Sequence, residues 1–226
     1  MRVKVCGIKN ETELQCAVEC GADAVGFQVG QLFPGKNFIL PSTARRLAEA
    51  LPVYITPVLV TNLNSAEAIY EVMANTEIYS VQINNCPFDE LIKLKDKLPR
   101  TGKIIYTEYV HHLMDDLEMA NLIPLIDAVN LDCYNLANDI VGVESQNKCY
   151  AWEAGGNYVQ HSPLPVILSG RLSAENVIQA VKTVKPFGVD ACTLLKDSNG
   201  ELDKTETGKF IWQAQRCDFE NIITGE

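Results

Sequence analysis

The chain has no excess of positive charge, no histidines clustered with its cysteines, no CxxC motif and no long apolar run. Each absence excludes a class of function. A formal net charge of −10 argues against general binding to nucleic acid, which needs a basic face to displace counterions; a local basic pocket for an anionic small molecule is still allowed. Three histidines stand apart from eight cysteines, and the nearest cysteine spacing is the three-residue gap between Cys16 and Cys20. A zinc site, which gathers four such ligands, is therefore not expected. No stretch approaches the ~20 apolar residues of a membrane span, and Met1 leads straight into a strand pattern, so neither a membrane partner nor a signal peptide is expected. Reduced thiols in a cytoplasmic protein are the simplest reading of the cysteines. The segment Cys6-Gly7-Ile8-Lys9-Asn10 after the first apolar run is not a glycine-rich dinucleotide fingerprint. No linker or low-complexity segment divides the 226 residues, so residues 1–226 read as one domain.

What is present is a rhythm. Short apolar runs alternate with amphipathic stretches. The expected strands are Val3–Cys6, Ala24–Val29, Val53–Val60, Tyr79–Ile83, Lys103–Tyr106, Ala128–Asp132, Pro165–Ser169 and Gly188–Thr193. Helical patterns fall between them at Glu11–Cys20, Pro41–Leu51, Ala66–Met73, Pro87–Leu98, His111–Leu122 (weakly), beyond Trp152, at Ser173–Val184 and at Glu206–Gln215. Alternating strands and helices imply parallel strands joined by right-handed crossovers. Strands rich in Val and Ile are expected where both faces are buried. Eight units in a chain of this length favour a single α/β (β/α)8 TIM barrel, with an open doubly wound sheet as the alternative.

In such a barrel, chemistry sits at the C-terminal ends of the strands. That rule selects Cys6, Gln28, Thr61, Asn62, Gln82, Asn84, Thr107, Glu108, Asp132, Ser169, Gly170, Arg171, Cys192 and Thr193. Cys6 is the sharpest member. A thiol needs a nearby cation or helix N-terminus to act as thiolate near neutral pH, and Lys4 lies one layer below on the same strand face. The competing reading of Cys6 is a small buried hydrophobe. Asp132 ends the apolar run Val129-Asn130-Leu131, where a carboxylate is costly unless it faces a polar pocket; a loop or capping aspartate is the alternative. Lys36, Lys148, Arg171 and Lys196 are candidate anion clamps, against the plainer reading of solvated surface charges.

At these residues the chain resembles the phosphoribosylanthranilate isomerases of tryptophan biosynthesis. Lys4-Val5-Cys6-Gly7-Ile8-Lys9 is similar to the family's opening strand, and Gly21-Ala22-Asp23-Ala24-Val25-Gly26-Phe27 to its second. Val58–Asn62, Val81–Ile83, Val129–Asp132, Val166–Leu172 with Glu175-Asn176-Val177, and Lys185–Asp190 follow in order. The resemblance implies a (β/α)8 barrel that performs an Amadori rearrangement on an anionic small molecule, an N-glycoside of anthranilate with a 5-phosphate. It implies that Cys6 is the general base at sugar C2 and Asp132 the general acid at the ring oxygen, with no metal or organic cofactor, in a monomer or homodimer. Arg171, Lys196, Ser169, Gly170, Cys192 and Thr193 would lie near the anion end, Lys36 and Asn37 near the aromatic end, and Gln82 and Asn84 would also bind substrate.

The sequence departs from the family at the substrate grip. Leu194 stands where strand eight is followed by a glycine, Gly170-Arg171 replaces a Gly-Gly pair, and Glu144–Trp152 keeps Lys148 and Trp152 but none of the family loop's glycines. Pro34-Gly35-Lys36-Asn37-Phe38 replaces the segment bearing the family's carboxylate-binding arginine, and Asn84 replaces a histidine. Three readings stay open: an isomerase in which Arg171 and Lys196 supply charge in place of backbone dipoles, a paralogue with another substrate, and a non-catalytic ligand-binding barrel.

Overall fold

The strand–helix rhythm closes on itself. The computed structural model describes residues 1–32, 35–111, 113, 116–134 and 150–224. Eight parallel strands form a closed barrel in sequence order: β1 (Arg2–Cys6), β2 (Ala24–Gln28), β3 (Thr56–Thr61), β4 (Ser80–Asn84), β5 (Lys103–Tyr109), β6 (Ala128–Asp132), β7 (Val166–Ser169) and β8 (Gly188–Ala191). The helices are α1 (Glu11–Glu19), α2 (Pro41–Glu49), α3 (Ala66–Thr76), α4 (Phe88–Lys97), α5 (Asp116–Leu122), α6 (Trp152–His161), α7 (Val177–Val184) and α8 (Lys204–Thr224). This is the (β/α)8 barrel, and the open sheet is excluded because β8 pairs with β1. No described helix is long and apolar enough to cross a membrane.

Local chemistry sets the helix starts. Asn10 Oδ1 accepts the Glu13 amide at the start of α1, Ser65 Oγ accepts that of Ala68 at α3, and Asp203 Oδ1 accepts those of Thr205 and Glu206 at α8. Such caps satisfy amides that the first turn leaves unbonded. Several expected ends move. The third strand starts at Thr56 rather than Val53, because Tyr54 takes a positive φ of 77° in the preceding turn. The fifth runs on to Tyr109, and the eighth stops at Ala191, where Thr193–Leu195 tightens into a 3-10 turn. The seventh helix begins at Val177, since Asn176 Oδ1 ties back to the Ser173 amide.

Strand parity then divides the residues. Val3 and Val5 point outward and join the main hydrophobic core between the strands and the helix ring. Lys4 and Cys6 point inward. The barrel interior carries a small apolar group of Cys6, Val58 and Val60. Around it lie the buried polar side chains Lys4, Gln82, Thr107, Asn130, Ser169 and Asp190. Buried polar groups are costly unless hydrogen-bonded, and these largely bond one another.

Candidate active site

The interior polar groups form a floor. Lys4 Nζ donates to Asp190 Oδ2 at 2.5 Å and to Gln82 Oε1 at 2.8 Å. Gln82 Nε2 donates to Thr107 Oγ1, whose hydroxyl donates to Asn84 Oδ1. On the other side Asn130 Nδ2 donates to Ser169 Oγ at 3.0 Å. Above this floor, at the C-terminal ends of the strands, opens a cavity of about 520 Å³. Cys6 from β1 and Asp132 from β6 both line it, three strands apart around the ring.

The two groups are tuned in opposite directions. Burial pushes the Cys86 and Cys133 thiols up to about 12. Cys6, also buried, lies below the ordinary thiol value: the neighbouring Cys192 side chain, the charge of Lys4 and the Gln28 side chain outweigh burial. Asp132 lies above the ordinary carboxylate value, chiefly through burial and then through the charge of Asp190, although the Tyr134 amide donates to its Oδ1 at 2.9 Å. A thiol drawn toward thiolate and a carboxyl drawn toward its acid form, facing one cavity, make a base and an acid.

Two glycines make room for the pair. Gly26, register partner of Cys6, has no Cβ; one built there would lie 2.8 Å from Cys6 Sγ. Gly170 has φ of 102°, and a Cβ there would collide with Asp132 Oδ1. A larger cavity of about 640 Å³ opens at the other end of the barrel. Its walls are mostly apolar, and its charged rim residues Arg2 and Asp23 pair with each other at 2.6 Å. Cys6 and Asp132 face the cavity at the C-terminal mouth instead.

Residues 3–211 match the sequence profile described as N-(5'phosphoribosyl)anthranilate (PRA) isomerase. The chain belongs to the PRA isomerase family. It is 38% identical to N-(5'-phosphoribosyl)anthranilate isomerase 2 of Methanosarcina mazei, over 97% of this chain and 96% of that relative. Among solved structures it resembles a PRA isomerase in complex with reduced 1-(o-carboxyphenylamino)-1-deoxyribulose 5-phosphate, with 26% identity, a TM-score of 0.74 and coverage of 96% and 99%. It also resembles a monomeric form of the dimeric Thermotoga maritima enzyme, with 25% identity, a TM-score of 0.72 and the same coverage.

Against this family background, most of the expected site residues gather at the mouth. Cys6, Gln28, Gln82, Asn84, Thr107, Asp132, Ser169, Gly170, Arg171, Cys192 and Thr193 all line the cavity. Others do not. Lys196 does not line it; its ammonium is buried against Gly7 O at 2.9 Å and Glu13 Oε1 at 2.8 Å. Glu13 is itself buried and needs a cationic partner. Lys36 is exposed and outside the cavity lining. Asn37 is at the edge, its Nδ2 donating to Cys192 Sγ at 3.3 Å. Thr61 hydrogen-bonds Gly30 O and Asn62 accepts the Leu32 amide. Glu108 is buried with the outward parity of β5 and does not line the cavity. Lys148, the loop up to Cys149 and Pro34 lie outside the described residues.

Tyr109, Asn130, Tyr134 and Asp190 also line the cavity and were missed by the strand-end rule. Asn130 and Tyr134 share the parity of Asp132, and Asp190 shares that of Cys192. That alternation was the available signal.

Proposed function

We propose that the protein catalyses the Amadori rearrangement of phosphoribosylanthranilate, with Cys6 as general base and Asp132 as general acid. The observation that carries this reading is the opposite tuning of these two groups around one cavity. Asp132 gives its proton to the ring oxygen as the furanose opens and the amine nitrogen forms an iminium with C1. The Cys6 thiolate then removes the proton from C2. The electron pair moves into the C1–C2 bond, giving an enolamine that tautomerises to the aminoketose.

The phosphate end is best accommodated where Arg171, Cys192 and Thr193 border the cavity, the region after strands seven and eight that commonly holds phosphate in this fold. Arg171 keeps the backbone that a glycine would adopt, with φ of 50°, and adds a guanidinium. Tyr150 Oη and Asn176 Nδ2 hold its carbonyl at 3.1 and 3.0 Å, and its guanidinium lies 5.0 Å from the Tyr134 ring centroid. Leu194 is not among the positive-φ residues or the cavity lining, so this turn does not require the family's glycine. The substrate is thus an anionic small molecule, handled in a monomer or homodimer in the cytoplasm.

A second reading, a paralogue with an unphosphorylated substrate, draws on the engagement of Lys196 by Glu13, which removes one expected phosphate charge from the cavity. Ligand binding to the native state raises its melting temperature. Ribose 5-phosphate should stabilise the protein more than ribose; a shift with unphosphorylated ligands alone would favour the paralogue. The decisive genetic test is complementation of a tryptophan auxotroph that lacks this isomerase. Growth that requires Cys6, shown by a Cys6→Ala control, supports the proposal; no growth from well-expressed wild type rejects it.

A further inference from the structure

Cys6 does not stand alone at its strand tip. The β1–β8 register pairs Lys4 with Asp190 and ends on Val5 with Ala191, and Cys6 and Cys192 are the next residue along each chain. The two sulfurs share the small apolar group inside the barrel mouth and both border the cavity. Cys192 is fixed from its far side: Asn37 Nδ2 donates to its sulfur at 3.3 Å. An added Cβ on Gly7 would approach that sulfur to 2.8 Å and the Asn37 amide to 3.0 Å, so the bare Gly7 backbone forms one wall of its seat.

We propose that Cys192 is a positioning residue for Cys6: it keeps its own proton and donates it in an S–H···S hydrogen bond to the Cys6 sulfur, while Asn37 holds the Cys192 sulfur in place. This rests on the reading of Cys6 as the base. The two thiols have unequal surroundings. Cys6 has the Lys4 ammonium in the layer below, and Gln28 of β2 borders the same cavity. Cys192 has the Asn37 amide; Lys196, the nearby cation, is already paired with Glu13. The other charged neighbour is Asp190 of β8, itself paired with Lys4. The neighbours from β2 and β3, Gly26, Gln28, Val58 and Val60, are all neutral. The cation nearest the pair therefore favours negative charge on Cys6 and leaves the proton on Cys192. Giving that hydrogen bond, together with burial, holds Cys192 well above the ordinary thiol value.

The test is the pH dependence of iodoacetamide alkylation at Cys6, read by peptide mass mapping in wild type, Cys192→Ser and Cys192→Ala. Cys192→Val, which keeps the bulk without a donor, replaces the alanine variant should that one unfold. Serine still donates a hydrogen bond and alanine does not. The Cys6 midpoint is expected to rise by about one to two units in Cys192→Ala, the size of a charge-assisted hydrogen bond, and to stay close to wild type in Cys192→Ser. The acid limb of kcat/KM should move with it. An unmoved midpoint in Cys192→Ala, or equal shifts in the alanine and serine variants, overturns the proposal. The alkylation readout does not depend on the reaction. Full activity in Cys6→Ala would sink the assignment of the base separately, whatever the titration shows.

Discussion

The Lys4 ammonium lies 2.5 Å from Asp190 Oδ2, and both side chains are buried directly beneath the layer that holds Cys6. A buried charge deprived of its partner is strongly destabilising, so Lys4→Met should cost about 3–5 kcal/mol. It should also raise the Cys6 pKa by removing the cation below it. Burial alone would lower the Lys4 pKa, but Asp190 holds it above the ordinary lysine value. The stabilisation is therefore fully present below the unfolded-state lysine pKa of about 10.4 and is lost as pH rises through the higher folded value. Urea unfolding should show a wild-type advantage at neutral pH that narrows above about 10.4 as Lys4 loses its charge.

Gly26→Ala tests how closely the base is placed. The new methyl would lie 2.8 Å from Cys6 Sγ and 3.2 Å from Cys6 Cα, so the sulfur must move. Overpacking of this kind costs about 1–3 kcal/mol, and misplacing a reacting group by about 1 Å can cost roughly 10²-fold in rate. Steady-state kinetics should show a fall in kcat with KM little changed, in a variant that circular dichroism shows to be folded.

Much of this arrangement was legible beforehand, and the misses share a physical cause. Alternating apolar runs are local, so the barrel and most strand positions could be read directly. Cys6 and Asp132 end two such runs, and both line the cavity. Lys196 was read as an anion clamp because nothing near it in sequence claims it; its partner Glu13 lies on α1, brought beside it only when the barrel closes. The adjacency of Cys6 and Cys192 likewise depends on the register between the first and last strands. Thr61 and Glu108 were selected by position without parity, whereas Asp190 and Asn130 would have been found by parity; Asn62 has the inward parity of Val58 and Val60, but its Oδ1 accepts the Leu32 amide instead.

Arg171 occupies a left-handed backbone conformation, with φ of 50°. A non-glycine residue there costs about 1–2 kcal/mol. Arg171→Gly relieves that cost but loses the contact with Tyr134, so thermal stability should hold. Loss of a charge-assisted contact to the substrate anion should raise KM roughly ten- to hundredfold while kcat stays near wild type. An unchanged KM would remove Arg171 from the phosphate site.

Burial raises the Asp132 pKa above the ordinary carboxylate value. The folded state thus binds this proton more tightly than the unfolded chain, and stability falls as pH rises from the unfolded value of about 3.9 through the folded one. Asp132→Asn removes that loss and can keep an oxygen acceptor for the Tyr134 amide. The variant should be at least as stable as wild type near pH 8, with the advantage shrinking below about pH 4. Its isomerase activity should fall by about 10²–10⁴-fold. Paired melting curves at the two pH values check the sign.

The most direct measurement is kcat/KM for phosphoribosylanthranilate, generated in situ, with purified wild type, Cys6→Ala and Asp132→Asn. The account predicts turnover by wild type and a loss of about 10²–10⁴-fold in each variant, with a pH profile whose acid limb belongs to a thiol titrating below its ordinary value. Wild-type turnover that survives in Cys6→Ala, or a folded wild type that leaves this substrate untouched, would contradict it.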